Sequence, residues 1–257
     1  MFMPEVRGSG PDLAMVHGWG MHPGIWSDWA DSLAEDFRVH LVALPGHGGY
    51  GHTVGARLDD WSADVAGQVP DGAWWLGWSL GALVALNAAC RFPDRVRGLV
   101  LVAGTPRFVT APDWSCAVDA AVFDQFACQL QQDVDRALTR FLSLQVRGSE
   151  GGGDGLRRLR GLLAQWPYPR EQVLSDGLQL LQQSDLRKAL SALEIPAHWL
   201  FGERDTLVPA SVSGRVPGSC EIVAGAGHAP FLSHPQVCAA HVRRWLLRQG
   251  GRRHAAV

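Results

Sequence analysis

The sequence predicts a doubly wound α/β domain: a mostly parallel central sheet with helices on both faces and a helical insertion. Three observations lead there. Short, continuously apolar, β-rich runs alternate with helical stretches over the first hundred residues. The alternation breaks in the middle of the chain and returns near its end. The apolar runs close on glycine-bearing turns such as His17-Gly18 and Pro45-Gly46.

The elements follow in order. Strands are expected at residues 13–16, 39–44, 74–77 and 99–103, with helices at 27–36, 59–69 and 80–91 between them. From 106 to 190 there is no strand pattern. Val122, Phe126 and Leu130 recur at helical spacing, as do Leu138, Phe141 and Leu142. Gly148, Gly151, Gly152, Gly153 and Gly155 separate them from an apolar helix at 156–163. Strands at 197–201 and 221–223 and a final helix at 236–247 complete the fold, with residues 252–257 as a frayed tail. The domain reading is a core of 1–105 and 191–257, with 106–190 as a helical lid.

Composition narrows the function. With 257 residues, 47% of them hydrophobic, the chain builds a sizeable core without metal or disulfide staples. Twenty-three basic residues against 25 acidic ones, a net of −2, exclude a general nucleic-acid binder. No apolar run approaches the roughly 20 residues of a bilayer span, and residues 1–7 lack the basic-then-apolar pattern of a secretion signal. Five cysteines without C-x-x-C spacing read as reduced thiols. The expectation is a cytoplasmic, monomeric protein that touches neither membrane nor nucleic acid.

The chemistry starts at Gly77-Trp78-Ser79-Leu80-Gly81. A chain with 30 glycines shows G-x-S-x-G by chance about 0.2 times, so placement carries the argument. The pattern follows a strand and opens a helix, which is what a nucleophile elbow requires: a sharp turn that exposes the serine hydroxyl. The helix N-terminus adds positive potential and free N–H groups. The expected chain order is serine, acid, histidine. His228, in Gly225-Ala226-Gly227-His228-Ala229-Pro230-Phe231, sits in the loop after the last strand, whereas His234 falls where the final helix begins and His52, His241 and His254 read as surface residues. His17, His22 and His47 all precede Ser79, while His40 and His198 fall inside strands. Asp205, just beyond the strand at 197–201, is the acid, with Glu203 as the alternative. The oxyanion donors are the N–H of Leu80 and that of Trp19 in His17-Gly18-Trp19-Gly20. Trp19 also stands to wall the acyl pocket. No metal or cofactor is needed.

These residues resemble the α/β-hydrolase superfamily over essentially the whole chain, and within it the pimeloyl-[acyl-carrier protein] methyl ester esterases of biotin synthesis. Besides the oxyanion segment and the elbow with its Trp78, Arg140-Phe141-Leu142-Ser143-Leu144-Gln145 resembles their lid segment. The run from His228 through Pro235 resembles their histidine loop. The chain departs from the family at Ala43, where an Asp commonly precedes Leu-Pro-Gly, at His47 and Gly49-Tyr50, and in the 151–155 glycine cluster. The resemblance implies an α/β-hydrolase fold and a carboxylesterase that releases methanol from pimeloyl methyl ester on an acyl carrier protein. It implies a Ser79, Asp205 and His228 triad, with Trp19, Leu80 and Phe141, Leu142, Ser143, Leu144 and Gln145 around the substrate. Carrier proteins are acidic. Between Arg136 and Arg170 there are seven Arg against Glu150 and Asp154, a local +5, and the expected docking residues are Arg136, Arg140, Arg157, Arg158 and Arg160. Two other readings stay open: a general short-chain esterase, and a non-catalytic hydrolase-fold protein that binds a small ligand.

Overall fold

The computed structural model describes residues 4–254, of which 251–254 by their backbone only. Seven strands form one sheet: β1 (Glu5–Arg7), β2 (Asp12–Val16), β3 (Arg38–Val42), β4 (Ala73–Trp78), β5 (Val96–Val102), β6 (Ala197–Gly202) and β7 (Ser219–Val223). Their order is β1-β3-β2-β4-β5-β6-β7, and only β1 runs antiparallel to its neighbour. β4 and β6 are buried at every position, as strands covered on both faces must be. β1 was not expected. It is three residues long, two of them exposed, and carries no apolar run that would announce it.

The core helices are α1 (Ser27–Leu33), α2 (Leu58–Ala66) and α3 (Leu80–Arg91). α3 is buried from Leu80 to Ala89, so small and apolar residues line its whole surface. Its one interior polar side chain, Asn87, donates to Ser62 Oγ (3.0 Å) and Asp59 Oδ1 (3.1 Å) on α2.

Between β5 and β6 lie five helices: α4 (Ala120–Gln132), α5 (Val134–Gln145), α6 (Gly152–Leu163), α7 (Glu171–Gln183) and α8 (Arg187–Ser191). Asp119 and Asp133 cap α4 and α5, accepting from Ala121 N–H and Arg136 N–H. α7 carries a buried stripe of Val173, Leu174, Leu178, Leu180 and Leu181, interrupted by Gly177. A Cβ on Gly177 would lie 2.7 Å from the Trp19 ring, so glycine is what lets this helix close over the core. The 106–119 stretch holds only isolated bridges, Val109 to Val118 and Ala111 to Trp114.

After β7 come α9 (Pro230–Ser233) and α10 (Pro235–His254). α10 reaches into the segment expected as a frayed tail, of which 255–257 lie outside the described residues. Among the described residues no helix is long and apolar enough to cross a membrane. The five cysteines are free thiols.

The parallel strands place the loops after β2, β4, β6 and β7 at one edge of the sheet, where ligands bind in open α/β folds. At that edge Gly202 ends β6 against the loop after β7. A Cβ there would sit 2.1 Å from the Gly227 carbonyl oxygen and 2.6 Å from that of Ala226. No rotamer relieves a clash between backbones. Gly202→Ala is expected to destabilise the protein by about 3 kcal/mol, read as a fall in Tm of roughly 6–12 °C by calorimetry.

Candidate active site

Ser79 joins β4 to α3 with φ 55° and ψ −116°, a left-handed conformation that a side chain resists. Its neighbours explain the flanking glycines. A Cβ on Gly77 would fall 2.4 Å from the Gly81 oxygen, and one on Gly81 would fall 2.3 Å from the Val16 oxygen and 2.4 Å from the His17 oxygen. Both approaches are backbone to backbone, so only hydrogen fits at either position. Ser79 N–H donates to the Val102 carbonyl at 3.0 Å, fixing the elbow to β5. Leu80, the first residue of α3, has an N–H with no acceptor inside its helix.

The structure brings Ser79, His228 and Asp205 into one hydrogen-bonded chain. Ser79 Oγ lies 2.9 Å from His228 Nε2, and His228 Nδ1 lies 2.8 Å from Asp205 Oδ2. The other Asp205 oxygen accepts the Leu207 and Val208 N–H groups at 2.8 and 2.9 Å. The carboxylate is therefore fixed in place, and its contact with Nδ1 puts the ring proton there. Nε2 is left with a lone pair facing the serine hydroxyl. All three residues are buried, Ser79 at 3% exposure. Glu203, the alternative acid, instead accepts the Gly225 N–H at 2.9 Å.

Trp78, the residue between glycine and serine, does something its position in the motif does not reveal. Its indole N–H donates to the His228 carbonyl at 2.8 Å. The ring also packs edge-on against Phe231, with centroids 5.1 Å apart. The strand that carries the serine thus also holds the loop that carries the histidine.

The 17–20 loop lies beside the nucleophile: a Cβ on Gly18 would lie 3.4 Å from Ser79 Cβ. His17, fully buried, sets this loop's orientation. Its Nε2 accepts the Leu44 N–H at 3.1 Å, so Nδ1 bears the proton and donates to the Gly18 carbonyl at 2.9 Å. C=O and N–H point opposite ways across a trans peptide, so holding the Gly18 carbonyl aims the Trp19 N–H away from His17. Neighbouring His47 donates from Nδ1 to the Pro45 carbonyl (2.9 Å) and keeps a buried Nε2 without a partner. Burial pushes both imidazoles down, His47 to about 4, and the nearby His47 adds to the effect on His17. Both rings are neutral at pH 7.

Helices α5 and α7 pack over Trp19. Its indole N–H donates to the Leu174 carbonyl of α7 at 2.8 Å, and its ring meets Phe141 of α5 edge-on at 4.6 Å. Five successive helical residues span more than one turn. Accordingly Phe141, Leu142 and Gln145 are buried, while Ser143 and Leu144 are half-buried and Ser143 Oγ donates back to the Thr139 carbonyl. The Gln145 carboxamide is buried with neither polar atom partnered.

The expected docking arginines are all exposed. Arg157 pairs with Asp154 on its own helix and Arg158 with Asp28 of the core. Arg140 stacks over Phe126 at 5.3 Å. No described ion pair uses Arg136, Arg140 or Arg160.

Comparison with known proteins gives a consistent picture. The family described as the alpha/beta hydrolase family matches residues 13–241. A pimeloyl-[acyl-carrier protein] methyl ester esterase of Stenotrophomonas maltophilia (strain R551-3) is 43% identical over 248 residues, covering 94% of this chain and 95% of the relative. The protein of the same name from Sodalis glossinidius (strain morsitans) is 44% identical over 240 residues, covering 90% and 92%. Among solved structures, an esterase from Exiguobacterium antarcticum superposes with a TM-score of 0.80 at 19% identity, covering 94% and 93%. That last likeness concerns the fold.

The buried neutral histidines make stability depend on acid. His47 and His198 are each pushed down to about 4 by burial, against an ordinary value near 6.5. The unfolded chain therefore takes up protons first, and their contribution is full above pH 6.5 and lost as pH falls toward 4. For His47 the loss between pH 7 and pH 4.5 is about 2 kcal/mol. Urea unfolding at those two pH values is expected to show it, with a decline smaller by that amount in His47→Phe.

Proposed function

The chain belongs to the alpha/beta hydrolase family, and from that premise we propose that it is a serine carboxylesterase acting on the methyl ester of pimeloyl-[acyl-carrier protein]. The products are methanol and pimeloyl-[acyl-carrier protein]. The hydrogen-bonded chain from Ser79 through His228 to Asp205 carries the chemistry. The near full-length likeness to esterases of that name supports the substrate.

His228 Nε2 takes the hydroxyl proton as Ser79 Oγ attacks the ester carbonyl. Asp205 stabilises the imidazolium that forms. The N–H groups of Trp19 and Leu80 receive the oxyanion. His228 then gives its proton to the departing methoxide, and methanol leaves an acyl-serine. Water, deprotonated by the same nitrogen, attacks that acyl group and releases the free carboxylate and Ser79. Phe141, Leu142 and Trp19 enclose the acyl chain. The unpartnered Gln145 carboxamide supplies a polar group to that lining, while Ser143 and Leu144 complete the segment toward solvent.

The partner is an acidic carrier protein docked on the lid. Arg136 and Arg140 project from α5, and Arg157, Arg158 and Arg160 from α6. Arg136, Arg140 and Arg160 are free of carboxylate partners among the described ion pairs, which leaves their charge available to steer association. The enzyme acts as a cytoplasmic monomer, where its carrier substrate is made.

Hydrolysis of pimeloyl-carrier methyl ester and of p-nitrophenyl butyrate, run in parallel, tests the proposal. Ser79→Ala is expected to lower kcat on both by at least about 10,000-fold. An Arg136/Arg140/Arg157→Ala triple variant is expected to lose about tenfold or more in kcat/KM on the carrier ester alone, with the loss fading at high salt. Cleavage of butyrate with no action on the carrier ester would make this a general esterase. No covalent capture of Ser79 by a fluorophosphonate would leave a ligand-binding protein.

A further inference from the structure

The 146–151 loop that follows α5 leaves the lid and grips the two catalytic loops of the core. Ser149 Oγ accepts the Gly227 N–H at 2.7 Å, and Glu150 N–H donates to the Gly225 carbonyl at 3.0 Å. On the acid side, Arg204 donates to the Gly148 carbonyl at 3.3 Å and pairs with Glu150 at 3.5 Å. The core loops are also tied to each other: Arg204 N–H donates to the Ala226 carbonyl at 2.8 Å. Nothing in the ester chemistry uses Ser149. It is 78 residues from its partner in sequence, yet that partner immediately precedes His228.

We propose that Ser149 is a positioning residue for the general base, and that through it the seating of the lid sets the placement of His228. Gly227 is a glycine because there is no room beside it: a Cβ would lie 2.5 Å from Ser149 Oγ and 3.1 Å from the Arg147 carbonyl oxygen. Glycine also leaves the backbone before the base free to rotate. Trp78 fixes the His228 carbonyl on the far side of that residue, and the near side is fixed by the Ser149 hydroxyl. Between these two holds the imidazole is aimed at Ser79. The same loop continues directly from Gln145 on the buried face of α5. Lid helix and base loop therefore move together, and an acyl chain that seats α5 also seats His228.

This rests on the serine-esterase reading of Ser79, His228 and Asp205, and the test separates the two. Ser149→Ala, Ser149→Thr and Ser175→Ala, the last an exposed lid position, are compared with wild type. Each is assayed on p-nitrophenyl butyrate and for the rate of Ser79 labelling by a fluorophosphonate. Ser149→Ala is expected to lower kcat and the labelling rate about tenfold, with KM within twofold and an unchanged melting temperature. Ser149→Thr, which keeps the hydroxyl, restores both rates, and Ser175→Ala matches wild type. An unchanged kcat and labelling rate in Ser149→Ala would overturn the proposal. So would a Thr variant as slow as the Ala variant, which would make the role one of volume. If wild type cleaves no ester, the esterase reading falls while the labelling rates still decide the role of Ser149.

Discussion

The backbone at Ser79 turns from strand to helix within a single left-handed residue, a conformation that costs on the order of 1–3 kcal/mol and persists only where its surroundings enforce it. The enforcement is backbone packing. Gly81 presses on the carbonyls of Val16 and His17, and Gly77 on that of Gly81. One contact thus does two things. It holds the serine out from the turn, and it brings the end of β2, with the 17–20 loop beyond it, against the nucleophile. A side chain at Gly81 would push the end of β2 and the 17–20 loop away from Ser79, and one at Gly77 would push β4 off the first turn of α3.

The parallel sheet supplies the other groups at the same edge, and hydrogen bonds from the strand ends make them rigid. Asp205 is filled by two backbone donors and one imidazole. His228 is held through its carbonyl by the indole of the residue before Ser79. His17 holds the Gly18–Trp19 peptide by the carbonyl, and can do so only in the tautomer that the Leu44 N–H selects. Burial keeps that ring neutral, so the tautomer survives throughout the neutral range. Rigid hydrogen bonding of this kind is what lets N–H dipoles stabilise charge without reorganising as it forms.

What was legible in the sequence follows from how local each signal is. Ser79 announces itself because its glycines and its strand and helix lie within a few residues. Asp205 and His228 do so because each ends a recognisable strand in an expected order. The lid could be read as helical from Val122, Phe126 and Leu130, but α7 could not be singled out, since Gly177 interrupts its stripe. β1 carries too little apolar surface to be seen. The hydrogen bonds of His17, Trp78 and Ser149 were hidden for a different reason: Trp78 and Ser149 bond backbone 150 and 78 residues away, and His17 grips its neighbour Gly18 in a tautomer selected by Leu44, 27 residues on. The arginine cluster shows the same limit. Its charge is countable, but the pairing of Arg158 with Asp28, 130 residues away, is not.

The triad cannot by itself explain choice of bond. A carrier-bound pimeloyl methyl ester offers two carbonyls, and the thioester is the more reactive toward an activated serine. Attack at the ester alone must therefore come from where the chain is held. The site favours this, since Ser79 is 3% exposed beneath Trp19 and the lid. A chain entering from a carrier docked on the outside of the lid puts its far end at Ser79 and keeps its near end out by the length of the acyl chain. Selectivity is then a property of the distance between docking surface and nucleophile. On the proposed docking, that distance is set by the seating of α5, which carries Arg136 and Arg140 on its exposed side and Phe141 and Gln145 on its buried one.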